Sequence, residues 1–199
     1  MQACIHCGAE LVALIDDIED WEYGVEWNSR LVSCPSCGLV THDPPVRPDQ
    51  IEQLYPPSYT AHTGASRSRS IYGGLKALLG RWGARRVARH IPQAGSCLEV
   101  GCGNGSFLAV LGAARGDIQL AGVDIVDVGV TDVPRFTFYK GQLEDVDFAG
   151  RRFHVICCSN LIEHVPDPFV FLRKCAAILE PGGVIHGITP DHLSLDRYL

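Results

Sequence analysis

The clearest structural signal in the sequence is the segment Leu98-Glu99-Val100-Gly101-Cys102-Gly103-Asn104-Gly105. Its first three residues belong to an apolar run that begins at Cys97 and ends at Val100, and a helical pattern begins directly after the segment at Ser106. Three glycines at alternate positions permit a tight turn and let backbone amides approach a ligand, because no Cβ stands in the way. The pattern therefore predicts a ligand-binding loop between a strand and a helix.

Apolar runs alternate with helical segments on both sides of this loop. Strands are predicted at 97–100, 119–125, 136–139, 153–158 and 184–188, and helices at 71–90, 106–114 and 169–179. Such alternation indicates parallel strands joined by right-handed helical crossovers, with ligands bound at the carboxyl ends of the strands. The expected fold class is α/β, a Rossmann-like parallel sheet with helices on both faces.

Two acids lie at predicted strand ends. Glu99 closes the first strand, and Asp124 closes the next one. The distance from the glycine loop to Asp124 is about that expected for an acid that binds ribose hydroxyls. These acids strengthen the interpretation of the loop as a binding site.

Composition narrows the class of protein. Hydrophobic residues make up 46% of the 199 residues and charged residues 20%, as in ordinary globular proteins. The longest apolar stretches are too short to span a bilayer, and the amino terminus lacks a signal-peptide pattern. We therefore expect a cytoplasmic protein with no membrane partner.

Charge is unevenly distributed along the chain. The formal net charge of −6 and the pI near 5.7 argue against a general nucleic-acid-binding surface. Residues 67–89 nevertheless carry several arginines and no acid. This basic block is interpreted as a solvated helix face, with contact to an anionic substrate or nucleic acid as the alternative.

Nine cysteines in a chain without an export signal indicate thiols and metal ligands rather than disulfides. Cys4-Ile5-His6-Cys7-Gly8 and Cys34-Pro35-Ser36-Cys37-Gly38 are two knuckles of the C-x-x-C-G type. Each two-residue gap lets both thiolates bind one ion, and two knuckles complete a tetrahedral shell. The prediction is a structural Zn²⁺ held by Cys4, Cys7, Cys34 and Cys37. Four buried thiols or a redox pair are the alternatives, and His6 and His42 are expected to be bystanders.

The glycine-loop stretch resembles the first motif of class I S-adenosylmethionine-dependent methyltransferases. A nicotinamide site would prefer G-x-G-x-x-G, but Ser106 stands where the third glycine would be. Further matches to the methyltransferase pattern follow in the family's order: Gly122-Val123-Asp124, Gln142-Leu143-Glu144, the segment at 159–168, and Glu180-Pro181-Gly182-Gly183.

The resemblance implies a role for each of these segments. Glu99 and the loop would hold the amino-acid end of S-adenosylmethionine, and Asp124 would accept both ribose hydroxyls. Gln142 and Leu143 would lie beside the adenine, with Ile125 packed on its face. For each residue, packing or turn geometry is the alternative role. The cofactor-binding residues expected on this basis are Glu99, Gly101, Cys102, Gly103, Asn104, Gly105, Asp124, Ile125, Gln142, Leu143 and Asn160.

Glu163 and His164 follow the fourth predicted strand and are the candidate catalytic residues. A histidine that titrates near neutrality can remove a proton from a substrate hydroxyl, so His164 is the candidate general base of an O- or C-methylation. Capping or bracing the loop is its alternative role. The segment also resembles quinone-biosynthesis O-methyltransferases, some of which hold a divalent ion with two acids and the histidine. Asn160 replaces the first of those acids here.

The expected organisation has three parts. Residues 1–45 form a zinc-ribbon module, residues 46–92 a linker and helical segment, and residues 93–199 the S-adenosylmethionine-binding domain. The zinc module followed by Leu54-Tyr55 and Tyr59 resembles bacterial methyltransferases that act on sugars, glycan-linked metabolites and natural products. The class I sheet has seven strands, and only residues 189–199 follow the fifth one here. We therefore expect a C-terminally incomplete domain, or one completed by a second copy or a partner chain.

Three functions are weighed on this basis. The first is a methyltransferase acting on a small-molecule acceptor, namely a sugar, natural-product or aromatic hydroxyl. The second is a non-catalytic protein with a cofactor fold, whose zinc ribbon binds another protein. Methylation of a macromolecule is the third. The arginine cluster from Arg81 to Arg89 would support RNA as the acceptor, but the acidic net charge opposes it.

Overall fold

The computed structural model describes residues 3–19, 24–25, 28–47, 50–54, 71–127, 129 and 133–190. Residues 55–70, which belong to the predicted linker and include Tyr55 and Tyr59, lie outside the described residues, as do residues 191–199. The chain divides into two compact units, residues 1–59 and residues 60–199. No helix in the described part of the chain combines the length and the apolar character needed to cross a membrane.

The first unit is a small antiparallel sheet next to the cysteine knuckles. Its strands are β1 (Val12–Ile15), β2 (Arg30–Ser33) and β3 (Val40–Asp43), in the order β1-β2-β3, and helix α1 (Ile51–Leu54) follows. Its buried apolar cluster consists of Cys4, Leu11, Val32 and Cys34. Among the described residues of this unit the cluster is small, and a core of that size is stabilised by a further cross-link rather than by hydrophobic burial alone.

The second unit is built on a five-stranded sheet. Its helices are α2 (Ile71–Ala88), α3 (Ser106–Ala114) and α4 (Pro168–Ala177), and its strands are β4 (Ser96–Val100), β5 (Gln119–Asp124), β6 (Phe136–Lys140), β7 (Phe153–Ser159) and β8 (Leu179–Ile188). The strand order is β6-β5-β4-β7-β8, and all neighbours are parallel. The predicted Rossmann-like parallel sheet is confirmed.

The two faces of this sheet carry separate hydrophobic clusters. Leu98 and Val100 of β4 pack into one cluster together with Phe171 of α4. Cys97, whose side chain points the other way, packs into the second cluster with Val87 of α2 and with α3. Successive side chains alternate between the faces because a strand has a period of two, and both faces are covered by helices.

The connection between β6 and β7 departs from the expected helical crossover. Residues 141–152 form turns, with Gly141 at φ 138°, Ala149 at φ 51° and Gly150 at φ 78°. The Asp147 Oδ1 accepts a hydrogen bond from the Ala149 amide at 2.8 Å, a local bond that favours a turn over a helix. Phe148, buried in this connection, covers the sheet where a helix would otherwise pack.

The turn predicted at Glu180-Pro181-Gly182-Gly183 lies inside β8. Phe153 pairs with Leu179 and Val155 with Val184, so the register shifts across it. Gly182 has a φ of 79°, which accommodates the irregularity. Within the described residues β8 pairs only with β7.

Candidate functional site

The glycine loop leaves β4 and enters α3 through left-handed backbone. Gly101, Gly103 and Gly105 have φ values of 70°, 47° and 70°, conformations that cost little only for glycine. The Gly101 amide donates to the Val123 carbonyl of β5 at 2.8 Å. The Asn104 Oδ1 accepts from the Ser106 amide at 3.1 Å. The loop is therefore fixed to the sheet at one end and to the helix at the other.

Two close contacts lie directly beneath the loop. A Cβ on Gly101 would stand 3.1 Å from the Leu161 Cδ1, and one on Gly122 would stand 2.5 Å from the Cys102 Sγ. The Cys102 side chain is buried against the second cluster, so its backbone is the part available to a ligand. The first contact brings the segment after β7 against the loop.

Asp124 braces the loop from the end of β5. Its Oδ2 accepts from the Gly103 amide at 2.7 Å, and its Oδ1 accepts from the Val126 amide at 3.1 Å. Its carbonyl accepts from the Gly141 amide at 2.9 Å. Only 8% of the residue is exposed. Asp124 thus joins the loop to the segment that follows β6.

Glu99 is a buried carboxyl group without a described partner for one of its oxygens. The residue is 5% exposed, and its Oε2 makes no hydrogen bond within the described part of the chain. Burial, with a further contribution from the negative charge of Asp124, raises the pKa of Glu99 to about 8. A buried polar atom left unpaired is costly, so this position favours a ligand that brings a donor or a positive charge.

The residues expected beside the adenine differ in accessibility. Ile125 and Gln142 are half-buried, close in sequence to Asp124 and Gly141. Leu143 is 2% exposed and belongs to the core. A ligand at this position could contact the Leu143 backbone but not its side chain.

The cofactor-binding candidate Asn160 and the two candidate catalytic residues lie just after β7. Asn160 has a φ of 49°, and its amide donates to the Ile188 carbonyl of β8 at 2.7 Å. Glu163 and His164 end the 3₁₀ turn Ile162–His164, with the His164 Nε2 3.9 Å from the Glu163 Oε1. The Thr189 hydroxyl donates to the Glu163 Oε2 at 3.0 Å. The His164 side chain is 44% exposed.

The predicted segments therefore meet at the carboxyl edge of the sheet, through Asp124 and through the contact between Gly101 and Leu161. Sequence reasoning missed the roles of Val126, Leu161 and Thr189. Leu161 lies inside a recognised motif, but an apolar side chain gave no sign of contacting the loop. Thr189 was not recognised, because its partner Glu163 is 26 positions away in sequence.

The four predicted metal ligands lie together in the first unit. Their sulfur atoms all lie within 4.8 Å of one another, with Cys4–Cys37 at 3.6 Å and Cys7–Cys34 at 3.5 Å. Zinc–sulfur bonds of about 2.3 Å in a tetrahedron place sulfurs about 3.8 Å apart, so this donor set fits zinc.

The two knuckles have the same backbone geometry. The Gly8 amide donates to the Cys4 carbonyl and the Gly38 amide to the Cys34 carbonyl, both at 2.9 Å.

The thiols of the cluster differ in acidity. A hydrogen bond from the Cys7 amide is the main cause that lowers the pKa of Cys4 to about 6, which favours its thiolate. A hydrogen bond from the Leu39 amide lowers the pKa of Cys37, but burial and hydrogen bonds with the neighbouring thiols outweigh it and raise this pKa to about 12.

Neither His6 nor His42 belongs to this cluster as described. His42 lies 2.9 Å from the Ser29 hydroxyl through its Nδ1.

A parallel sheet with a glycine loop and two acids at its carboxyl edge defines an α/β domain of the cofactor-binding kind. The family model described as "Methyltransferase domain" matches residues 74–199, and the chain belongs to that family.

Curated relatives share part of their length with this chain. The "Ubiquinone biosynthesis O-methyltransferase" of Stutzerimonas stutzeri is 32% identical over 111 residues, covering 50% of this chain and 46% of that protein. The protein of the same name from Coxiella burnetii is 37% identical over 95 residues, covering 43% and 39%. The chain thus spans less than half the length of these relatives.

A solved structure has the same fold. The plantazolicin methyltransferase BpumL, in complex with a triazolic desmethylPZN analog and SAH, matches with a TM-score of 0.55 and 15% identity. The match covers 76% of this chain and 64% of that one.

Proposed function

We propose that this chain is the cofactor-binding part of an S-adenosylmethionine-dependent methyltransferase that methylates a hydroxyl group of a small molecule. The proposal rests on family membership over residues 74–199 and on the arrangement of Glu99, Asp124 and the glycine loop.

The Glu99 carboxyl is the observation that carries the cofactor assignment. It is buried at the end of the central strand, with one oxygen unpaired within the described residues. The amino-acid end of S-adenosylmethionine carries an ammonium group, which would supply both the missing donor and the missing positive charge. A ligand without a cation would leave the cost of the buried carboxyl uncompensated.

The other proposed contacts with the cofactor involve the glycine loop and the residues that follow β5 and β6. Gly103 and Gly105 carry no Cβ on the loop that would hold the amino-acid end of the cofactor. Asp124 retains lone pairs that can accept hydrogen bonds from ribose hydroxyls. Gln142 would approach the adenine edge, and Ile125 its face. When bound, S-adenosylmethionine supplies a methyl group that its sulfonium makes electrophilic, so the protein's main task is to align the acceptor.

His164 is the proposed base, and Glu163 the residue that positions it. The imidazole is solvent-accessible, and its Nε2 lies 3.9 Å from the Glu163 Oε1. The Thr189 hydroxyl donates a hydrogen bond to the other carboxylate oxygen, Glu163 Oε2. The imidazole can take a proton from an acceptor hydroxyl as the methyl group arrives. Names of the curated relatives support an oxygen acceptor, and we extend the acceptor class to aromatic and sugar hydroxyls.

The four-cysteine cluster is proposed to hold a structural zinc ion. All four ligands are cysteines, so the shell is closed and has no open position for catalysis. Metal binding would add the cross-link that the small core of the first unit requires.

Calorimetric titration of zinc-loaded protein with S-adenosylmethionine and S-adenosylhomocysteine tests the cofactor site. We expect a dissociation constant near 1 μM, about −8 kcal/mol. Turnover is then measured as S-adenosylhomocysteine released in the presence of catechols, phenols and sugars. A folded sample that binds neither compound would refute the cofactor assignment. Binding without turnover on any hydroxyl acceptor would favour the non-catalytic alternative.

A further inference from the structure

An exposed stripe on α2 is not used by the proposed function. It consists of Leu78, Arg81, Trp82, Arg85 and Arg86 on the helix and Arg89 in the turn directly after it, hereafter the basic stripe. Leu78 is 63% and Trp82 57% exposed, whereas Ala84 and Val87 on the opposite face are fully buried. The helix is thus anchored to the sheet by one face and presents the other to solvent.

The basic stripe combines the two residue types that dominate protein interfaces. Exposed tryptophan and arginine are enriched at binding hot spots, and large apolar side chains rarely cluster on a free surface. The Arg86 guanidinium lies 4.8 Å from the Trp82 ring centroid, which makes one mixed apolar and cationic surface. No ion pair is formed by these arginines with any described acid.

We propose that the basic stripe docks an acidic amphipathic helix of a partner protein. Charge complementarity selects this occupant, because arginines bind carboxylates in pairs of hydrogen bonds while Leu78 and Trp82 supply apolar anchors. From Leu78 to Arg89 the stripe is about 16 Å long, the length of three helical turns. A partner helix of three or four turns would cover it.

Two other anionic partners fit the surface less well. A membrane-surface helix separates its apolar and basic residues onto different faces, whereas here they share one face and the opposite face is core. A nucleic acid is bound largely through many phosphate contacts, and a stripe on one helix of a protein with a net charge of −6 can make only a few of them. Arg86 also covers one face of Trp82, which reduces stacking of bases.

The test uses the full chain and a synthetic 16-residue helical peptide with a leucine stripe flanked by glutamates. Binding is followed by fluorescence anisotropy of the labelled peptide at low and high salt. We expect a dissociation constant of about 10–100 μM, weakening with salt. The double variant R85E/R86E should lose at least tenfold in affinity. The matched control is Arg173→Glu, a reversal at an exposed arginine on α4.

A charge-swapped peptide, with lysines in place of the glutamates, separates docking from a folding defect. It should bind R85E/R86E more tightly than it binds the wild type, and circular dichroism should show that both proteins are folded. Uridine 20-mer RNA and vesicles of phosphatidylglycerol are tested in parallel. Tighter binding of either probe than of the acidic peptide, or equal peptide binding by wild type and R85E/R86E, would overturn the proposal.

Discussion

Replacing Glu99 by glutamine should stabilise the protein and weaken its cofactor site at the same time. The carboxyl is buried beside Asp124, and burial raises its pKa from 4.5 to about 8. In the unfolded chain the carboxyl group ionises near its ordinary pKa of 4.5, whereas in the folded chain it holds its proton up to about pH 8. Raising the pH from 4.5 to 8 therefore favours the unfolded state, and stability from this group is lost as the pH approaches 8.

The magnitude follows from the two pKa values. Each pH unit between them corresponds to about 1.4 kcal/mol, so the whole interval corresponds to about 5 kcal/mol. Glutamine has nearly the same shape and does not ionise. The free energy of unfolding of Glu99→Gln should therefore exceed that of the wild type by several kcal/mol more at pH 8.5 than at pH 5.

Urea denaturation followed by circular dichroism at these two pH values measures the difference. Glu10→Gln, which makes the same exchange at an exposed carboxylate, is the matched control and should show no such pH-dependent gain. If wild type and Glu99→Gln lose stability in parallel as the pH rises, Glu99 is not the titrating buried group and the reasoning fails.

Binding gives a second readout for the same residue. A hydrogen bond to a charged partner is worth about 1.5 to 3 kcal/mol, so Glu99→Gln should bind S-adenosylmethionine about 10- to 100-fold more weakly. Because Glu99 holds a proton at pH 7, binding of the ammonium should release about one proton. Calorimetry in two buffers of different ionisation enthalpy measures it, and equal heats in both buffers would contradict the expectation.

Three further predictions concern the metal, the base and the loop. Chelation of zinc, or the substitution Cys34→Ser, should remove the dispersion of the amide signals of β1–β3 in NMR spectra, whereas the amide signals of the sheet in the second unit should persist. Survival of the dispersed β1–β3 signals in metal-free protein would exclude a structural ion. His164→Ala should lower turnover about 10²- to 10⁴-fold with cofactor affinity unchanged, and a variant with full turnover would eliminate the base. Gly122→Ala should cost about 1 to 3 kcal/mol of stability by overpacking, measured by urea denaturation, because its Cβ would stand 2.5 Å from the Cys102 Sγ. The double variant with Cys102→Ala should recover most of the loss, and no recovery would mean that another contact is responsible.

The strands and helices of the second unit could be predicted because local pattern and tertiary environment agree there. The segment around Leu98 is apolar and flanked by glycines, which predicts a buried strand, and the structure buries it on both faces. The turns between β6 and β7 are the exception. Their buried residues, such as Phe148, pack against the sheet although they do not recur at helical spacing. The sequence pattern therefore does not show that this segment covers the sheet.

The acidic residues of the candidate site could be predicted from the sequence, but the contacts that hold them in place could not. Glu99 and Asp124 stand at strand ends, where the carboxyl edge of a parallel sheet brings side chains together. The pairing of the Asp124 carboxylate with the Gly103 amide depends on loop conformation. The unpaired oxygen of Glu99 depends on everything packed around it, and no spacing rule encodes burial at that level.

The cysteines fall into two populations with different chemical accessibility. Cys97, Cys102, Cys157, Cys158 and Cys175 are buried in the second unit. Burial keeps these thiols away from alkylating reagents, which attack the thiolates that they can reach. Cys7 and Cys37, in the four-cysteine cluster, are exposed. Brief alkylation of the native protein, with the added groups counted by intact mass, would therefore report what fraction of a preparation has the proposed zinc ion bound to its four cysteines.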